Sequence, residues 1–309
     1  MVASNERGRA FEYCVRQEIL KLAESMGVAS ELTPETVKRD RVEKKYFNEL
    51  KAIDKNDFLA GAKTFAKWVE TQGWLNAKKL VIERVSDDKA KKNIEMADLR
   101  LHFLPKDGKV FVKNISLKHH HNALCHPRLP SLANQAGIFD EKIDKEYRES
   151  YCKIWLAFYE KFKKLGKKIK NYKELGTVDK NFKTTWLYVP LQKNATSFLE
   201  KYANNPENSG AFFRYLTGTN DYYVLKNEKD HIEIKQFAGI AQPTGFKISY
   251  PYKSKTTFLI EFNNGWKITC RLHTASSRIE ENGKVFMTEK EDPICINLED
   301  AIKIDKIAK

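Results

Sequence analysis

Asp98 and Lys118, with Ser116 two residues before the lysine, are residues whose types and spacing suggest chemistry. A carboxylate can hold a divalent cation, which polarises a phosphate and lowers the pKa of bound water. A lysine beside it can orient that water and stabilise developing negative charge. The stretch Lys109–Arg128, KVFVKNISLKHHHNALCHPR, begins as a strand and ends in a polar cluster of Ser116, Lys118, His119, His120, His121, Asn122, His126 and Arg128. Residues two apart on a strand share a face, so Ser116 and Lys118 point the same way. Such a set is expected of a metal-dependent site for phosphodiester hydrolysis. On spacing alone the pattern is weak, because many chains match it by chance.

The elements that must position these groups can also be read. Asp98 to Phe103 alternates polar and apolar residues, as a half-buried strand does, and Pro105-Lys106-Asp107-Gly108 signals a turn. Together with the strand from Lys109 they make an antiparallel hairpin. If Leu104 pairs with Lys109, Asp98 and Lys118 face opposite sides of the sheet. If the loop is one residue longer, Leu104 pairs with Val110 and Asp98 sits opposite Ser116. A one-residue slip flips every side chain, so a shared site requires the second register or a bulge.

A helix is expected from Asn5 to about Met26, with Phe11, Val15, Leu22 and Met26 as its apolar stripe. Glu12 lies on the flank of that stripe, either facing solvent or supplying a second metal-binding acid, with Glu95 as the substitute. Gly8, one turn earlier, allows close approach by backbone or phosphate.

Further along, a helical pattern covers Thr33 to about Asn76, and Lys79–Val85 reads as a strand followed by a polar linker. Asp140 to about Leu175 reads as a lysine-rich helical region carrying Lys161, Lys163, Lys164, Lys167, Lys168, Lys170 and Lys173. Those lysines fit a solvated face and phosphate contact equally. Candidate strands then span 185–191, 222–225, 232–237, 246–250, 256–262 and 266–273, with Asn263-Asn264-Gly265 a tight-turn signal between the last two. After them comes a second polar cluster, Arg271, His273, Ser276, Ser277, Arg278 and Glu280. Arginine pairs with guanine O6 and N7 and glutamate accepts from cytosine N4, so the cluster suits base reading, or else a charged hairpin end.

Composition sets the outer bounds. Over 309 residues Lys plus Arg number 55 against 41 for Asp plus Glu, a net charge of +14 that favours a polyanion, nucleic acid before membrane. No apolar run reaches the roughly 20 residues that span a bilayer, and MVASNERGRAFEY is not a secretory signal. The five scattered cysteines read as reduced thiols, mostly core fillers, of a cytoplasmic protein. Adjacent Cys125 and His126 lack the second pair that a zinc site needs. Lys-His-His-His-Asn faintly resembles a ββα-metal nuclease, but three adjacent histidines cannot all face one metal from a strand. His119 or His121 could serve as a general base, or the histidines line a DNA groove or fill space beside it; His119, His121, His126 and Arg128 are expected as DNA contacts. Residues 1–175 are expected to hold a nuclease core with the basic helical region, and 176–309 a mixed, then mainly β, DNA-reading region interwoven with it. A non-catalytic DNA-binding protein and a structure-selective repair or junction nuclease are the competing readings.

Three blocks add a resemblance: NERGRAFEY at 5–13, SLKHHHNALCHPRL at 116–129 and GWKITCRLHTASSRIE at 265–280. With weaker likeness at Asp221-Tyr222-Tyr223 and Gln242-Pro243, the chain resembles the HaeIII-type restriction endonucleases over most of its length. That resemblance implies a type II enzyme cutting double-stranded DNA at GGCC with Mg²⁺. It also implies an α/β fold similar to PD-(D/E)xK nucleases, a mixed sheet flanked by helices with a mainly β C-terminal region. Within it Glu12 and Asp98 would bind metal and Lys118 would be catalytic, while Ser116 stands where the superfamily usually has a second acid. A palindromic target suits a homodimer on DNA or a monomer acting on each strand in turn, with a cognate DNA methyltransferase as genetic partner.

Overall fold

A computed structural model of the chain describes residues 4–86, 95–106, 108–119, 127–165, 169–251, 253, 255–274, 277–279, 285–289, 294–295 and 302–309. The chain forms two compact units, each discontinuous in sequence. The first comprises Met1–His121, Thr219–Ile240 and Asp300–Lys309, and the second Asn122–Gly218 and Ala241–Glu299. The division expected near 175 falls inside the second unit. Helices on either side of it pack together there, with Tyr147 and Phe198 rings 4.4 Å apart.

The first unit is built on a seven-stranded mixed sheet. In chain order its strands are β1 (Ala29–Leu32), β2 (Lys79–Arg84), β3 (Leu99–Leu104), β4 (Phe111–His119), β5 (Tyr222–Asn227) and β6 (His231–Phe237), and β12 (Ile302–Ala308) completes it. The spatial order is β1-β2-β3-β4-β5-β6-β12, with β1–β2 and β4–β5 parallel and the other pairs antiparallel. Burial alternates along β2 and β3, so each presents one apolar and one polar face. Leu80, Ile82, Leu99, Leu101, Phe103, Ile115 and Leu117 form one core with the helices α1 (Ser4–Ser25) and α3 (Ala52–Thr71). Phe11 and Phe58 meet in that core with ring centroids 5.3 Å apart.

The single helical stretch expected over 33–76 is two helices. α2 (Pro34–Asn48) starts at a Thr33 cap with Pro34 in its first turn, and α3 follows a break at residues 49–51. The lysine-rich region likewise divides, into Glu141–Lys163 and Tyr172–Val178. A larger correction concerns 185–191, expected as a strand. Thr184–Tyr188 is a π-helical turn running into the α-helix Val189–Glu200. The β-branched and aromatic residues there favour a strand locally, but Leu187, Leu191 and Ala195 recur every four residues and are all buried. The ambiguous 210–217 segment belongs to a helix, Pro206–Thr217, capped by Asn205.

In the second unit, β7 (Phe246–Ser249), β8 (Thr257–Phe262), β9 (Trp266–Thr274) and β10 (Val285–Glu289) form an antiparallel sheet that β11 (Ile294–Cys295) joins on β9. The expected tight turn joins β8 to β9, where Gly265 adopts φ +92°, a conformation that favours glycine. No described helix is long and apolar enough to cross a membrane.

Candidate active site

The hairpin takes the longer-loop register. Leu99 pairs with Ile115 and Phe103 with Phe111, which sets Asp98 opposite Ser116. Asp98 N–H donates to Ile115 O at 2.8 Å, fixing the backbone there. Its Oδ2 accepts from Leu117 N at 2.7 Å and from Ser116 Oγ at 3.3 Å. The Asp98 carboxylate is thus pinned by one oxygen to the strand that carries Lys118. Ser116 is fully buried, so its short hydroxyl serves as an internal donor to Asp98. Lys118 is half-buried and makes no hydrogen bond or ion pair with any other described residue.

Glu12 approaches from α1, which packs against β4. It does not face solvent: it is 6% exposed. Burial first, and the Asp98 charge second, push its carboxyl up to about 7, against the opposing pull of Arg9. Burial outweighs a close ion pair here, with Arg9 Nη1 lying 2.9 Å from Oε1 and 3.1 Å from Oε2. Arg84 Nε, on β2, lies 3.6 Å from Oε2 and Arg16 Nη1 lies 4.0 Å away.

These two arginines belong to a buried charge network that the sequence reading missed. Arg16, wholly buried, binds Asp40 Oδ1 through Nε at 2.9 Å and through Nη2 at 2.6 Å, and also pairs with Glu43. Arg84 Nε is 2.9 Å from Glu43 Oε1. Burial raises the Asp40 carboxyl, with Arg16 opposing. The sequence signal was present in the helical spacings: Arg9, Glu12 and Arg16 fall three and four apart on α1, and Asp40 and Glu43 three apart on α2. Glu95, the substitute second acid, pairs with Arg100.

Among the described residues no group of three or more His, Cys, Asp or Glu side chains forms a metal cage. The Glu12–Asp98 pair nonetheless suits one class of ion. Mg²⁺ keeps several waters and takes one or two carboxylates plus phosphate oxygens from its substrate. A buried carboxylate raised by a neighbouring carboxylate gains most from a cation between them.

The second polar cluster has a partner segment. Tyr172 N donates to Ser277 O at 2.9 Å, and Asn171 and Arg278 form a β-bridge. Thr274 N donates to Tyr188 Oη at 3.0 Å. Lys183 Nζ lies 4.6 Å from the Tyr172 ring and 5.0 Å from the Tyr188 ring. Burial, then the Arg271 and Lys183 charges, hold the His273 imidazole below its usual pKa. Lys183 therefore joins Arg271, His273 and Arg278, a grouping hidden from the sequence because the neighbouring 185–191 was expected as a strand. Of the other expected contacts, Arg128 is exposed ahead of a short 3₁₀ turn at Leu129–Ser131. His121, His126, Ser276 and Glu280 lie outside the described residues, as does the His119 side chain.

The model of one family, HaeIII restriction endonuclease, matches residues 8–240. The chain belongs to the HaeIII restriction endonuclease family. It is accordingly a type II restriction endonuclease, a site-specific deoxyribonuclease whose substrate is double-stranded DNA. Restriction endonucleases generally use a divalent metal. Searches of curated proteins and of solved structures found no match. The family match spans Glu12, Asp98, Ser116 and Lys118, whereas β9 and the Arg271 cluster lie beyond it.

Proposed function

We propose that this restriction endonuclease hydrolyses phosphodiesters at GGCC with Mg²⁺ and leaves 5′-phosphates, using a PD-(D/E)xK-like site made of Glu12, Asp98 and Lys118. The observation that carries the reading is the hairpin register, which places Asp98 opposite Ser116 and on the same face as Lys118. Bound Mg²⁺ would be held by Glu12 and Asp98, supplying Lewis-acid polarisation of the phosphate and a water of lowered pKa. The chain's own groups do the positioning. Leu117 N–H and Ser116 Oγ hold one oxygen of Asp98, so the other is presented in a fixed direction. The Lys118 ammonium faces the same side and donates to the attacking water or to a phosphate oxygen. Ser116, in place of a second strand acid, orients Asp98, and Glu12 supplies the missing negative charge.

Cleavage is assigned to the first unit and base reading to the second, where Arg271 and Arg278 suit guanine and His273 stays neutral near pH 7. His119, His121, His126, Arg128, Ser276 and Glu280 complete the assigned DNA contacts. A palindromic site implies a twofold arrangement, by a homodimer or by successive cuts. The enzyme would act in the cytoplasm beside a methyltransferase that protects the same sequence.

The test is a digest of DNA of known sequence with Mg²⁺, with and without chelator, followed by mapping of fragment ends. Chelator-sensitive cuts within GGCC that carry 5′-phosphates are expected. Cutting that ignores the chelator, or maps to another sequence, contradicts the proposal.

A further inference from the structure

Two features of α1 have no part in the mechanism so far. Gly8 lies four residues before Glu12, on the same face of the helix. A Cβ placed on Gly8 meets no described atom within 4 Å. Gly61 on α3 differs, because a Cβ there falls 2.1 Å from Asn227 Oδ1. Packing among the described residues thus demands glycine at 61 and leaves open space at 8, although glycine weakens a helix relative to alanine. The second feature is Arg9. Its Nη1 straddles both oxygens of Glu12, at 2.9 and 3.1 Å, and so blocks the approach of a cation to that carboxylate. The Arg9 side chain that covers Glu12 is 27% exposed, while the wholly buried Arg16 and the buried Arg84 also pair with Asp40 and Glu43.

We propose that the space over Gly8 seats a phosphate of the DNA strand, and that Arg9 turns from Glu12 to this phosphate when DNA binds, clearing Glu12 for the cation. This rests on Glu12 being a metal ligand. A guanidinium exchanges a carboxylate for a phosphate readily, since its planar fork fits both. No bond is made or broken, and one ion pair replaces another. By linkage, DNA then tightens cation binding and the cation tightens DNA binding by the same factor. The enzyme would hold metal weakly until substrate arrives.

The test is Mn²⁺ titration of the full chain in the Lys118→Ala background, where cleavage is slowed, with and without a duplex containing the target. Duplex should tighten Mn²⁺ binding roughly tenfold, and Arg9→Ala should give a similar gain without DNA. A merely structural ion pair would not yield tighter binding on removal. If Glu12→Gln weakens Mn²⁺ binding while Arg9→Ala changes nothing, the exchange is refuted and the metal assignment stands. If Glu12→Gln changes nothing, the metal assignment itself fails. Gly8→Ala tests the seat: its melting temperature should hold or rise while DNA affinity falls, and unchanged DNA affinity overturns the seat.

Discussion

Two charge clusters, one in each unit, use the same residue types to opposite ends. Under α1, Arg16 and Arg84 are buried and answered by Glu12, Asp40 and Glu43. In the second unit Arg271 and Arg278 are exposed, and His273 feels Arg271 and Lys183 as its charged neighbours. The first cluster closes its charges within the protein and so holds shape. The second gathers cations at a surface, where an external anion gains from them. The difference shows that burial and nearby acids, more than the count of basic residues, are what tie an arginine into the fold.

The contrast can be pressed hardest at Arg16. Arg16→Met leaves Asp40 without its buried counter-ion and Glu43 with Arg84 alone, and should cost about 3–5 kcal/mol in urea unfolding. A change of the size seen for exposed pairs, under about 1 kcal/mol, would put this cluster on a par with the surface one. Asp98→Ala and Lys118→Ala should each lower the cleavage rate by roughly 10²–10³-fold and leave gel-shift affinity for target DNA intact. Retained cleavage in both variants would remove the hairpin from the chemistry.

How far the sequence could go shows in these residues. Asp98 and Ser116 were legible as partners only under one of two registers, and the loop chemistry did not choose between them. The strand pairing of Leu99 with Ile115 does. Glu12 was legible as a candidate acid from its place beside the apolar stripe. Its neighbours were not, because Arg84 and Glu43 reach it from β2 and α2, and tertiary packing alone brings them together. The helix at 189–200 went unread because a local β preference at 185–191 concealed a longer four-residue period. That miss also hid the link between Lys183 and the Arg271 cluster.

In the second unit the cluster should divide by role. Arg271→Ala should relax preference at one base position, costing about 1–3 kcal/mol of discrimination in competition binding. Lys183→Ala should weaken binding evenly across sequences and reduce the salt slope by about 0.9. If both variants behave alike, base reading lies elsewhere.

A further effect concerns pH. Folding raises the Glu12 carboxyl from 4.5 to about 7, so the folded state binds the extra proton between those values. Its contribution to the stability of the cation-free protein is therefore greatest at low pH and declines as pH rises from about 4.5 through about 7. Between pH 5 and 7.5 the urea midpoint of the parent should fall relative to Glu12→Gln; a constant difference would argue against a buried, raised carboxyl.

The central claim, that Glu12 and Asp98 share one divalent ion beside Lys118, is tested most directly by anomalous scattering from Mn²⁺ in crystals of the Lys118→Ala protein with target DNA. A peak between the two carboxylates, with Arg9 turned away from Glu12, is the expected result. A peak elsewhere, with Glu12 still closed on Arg9, would contradict it.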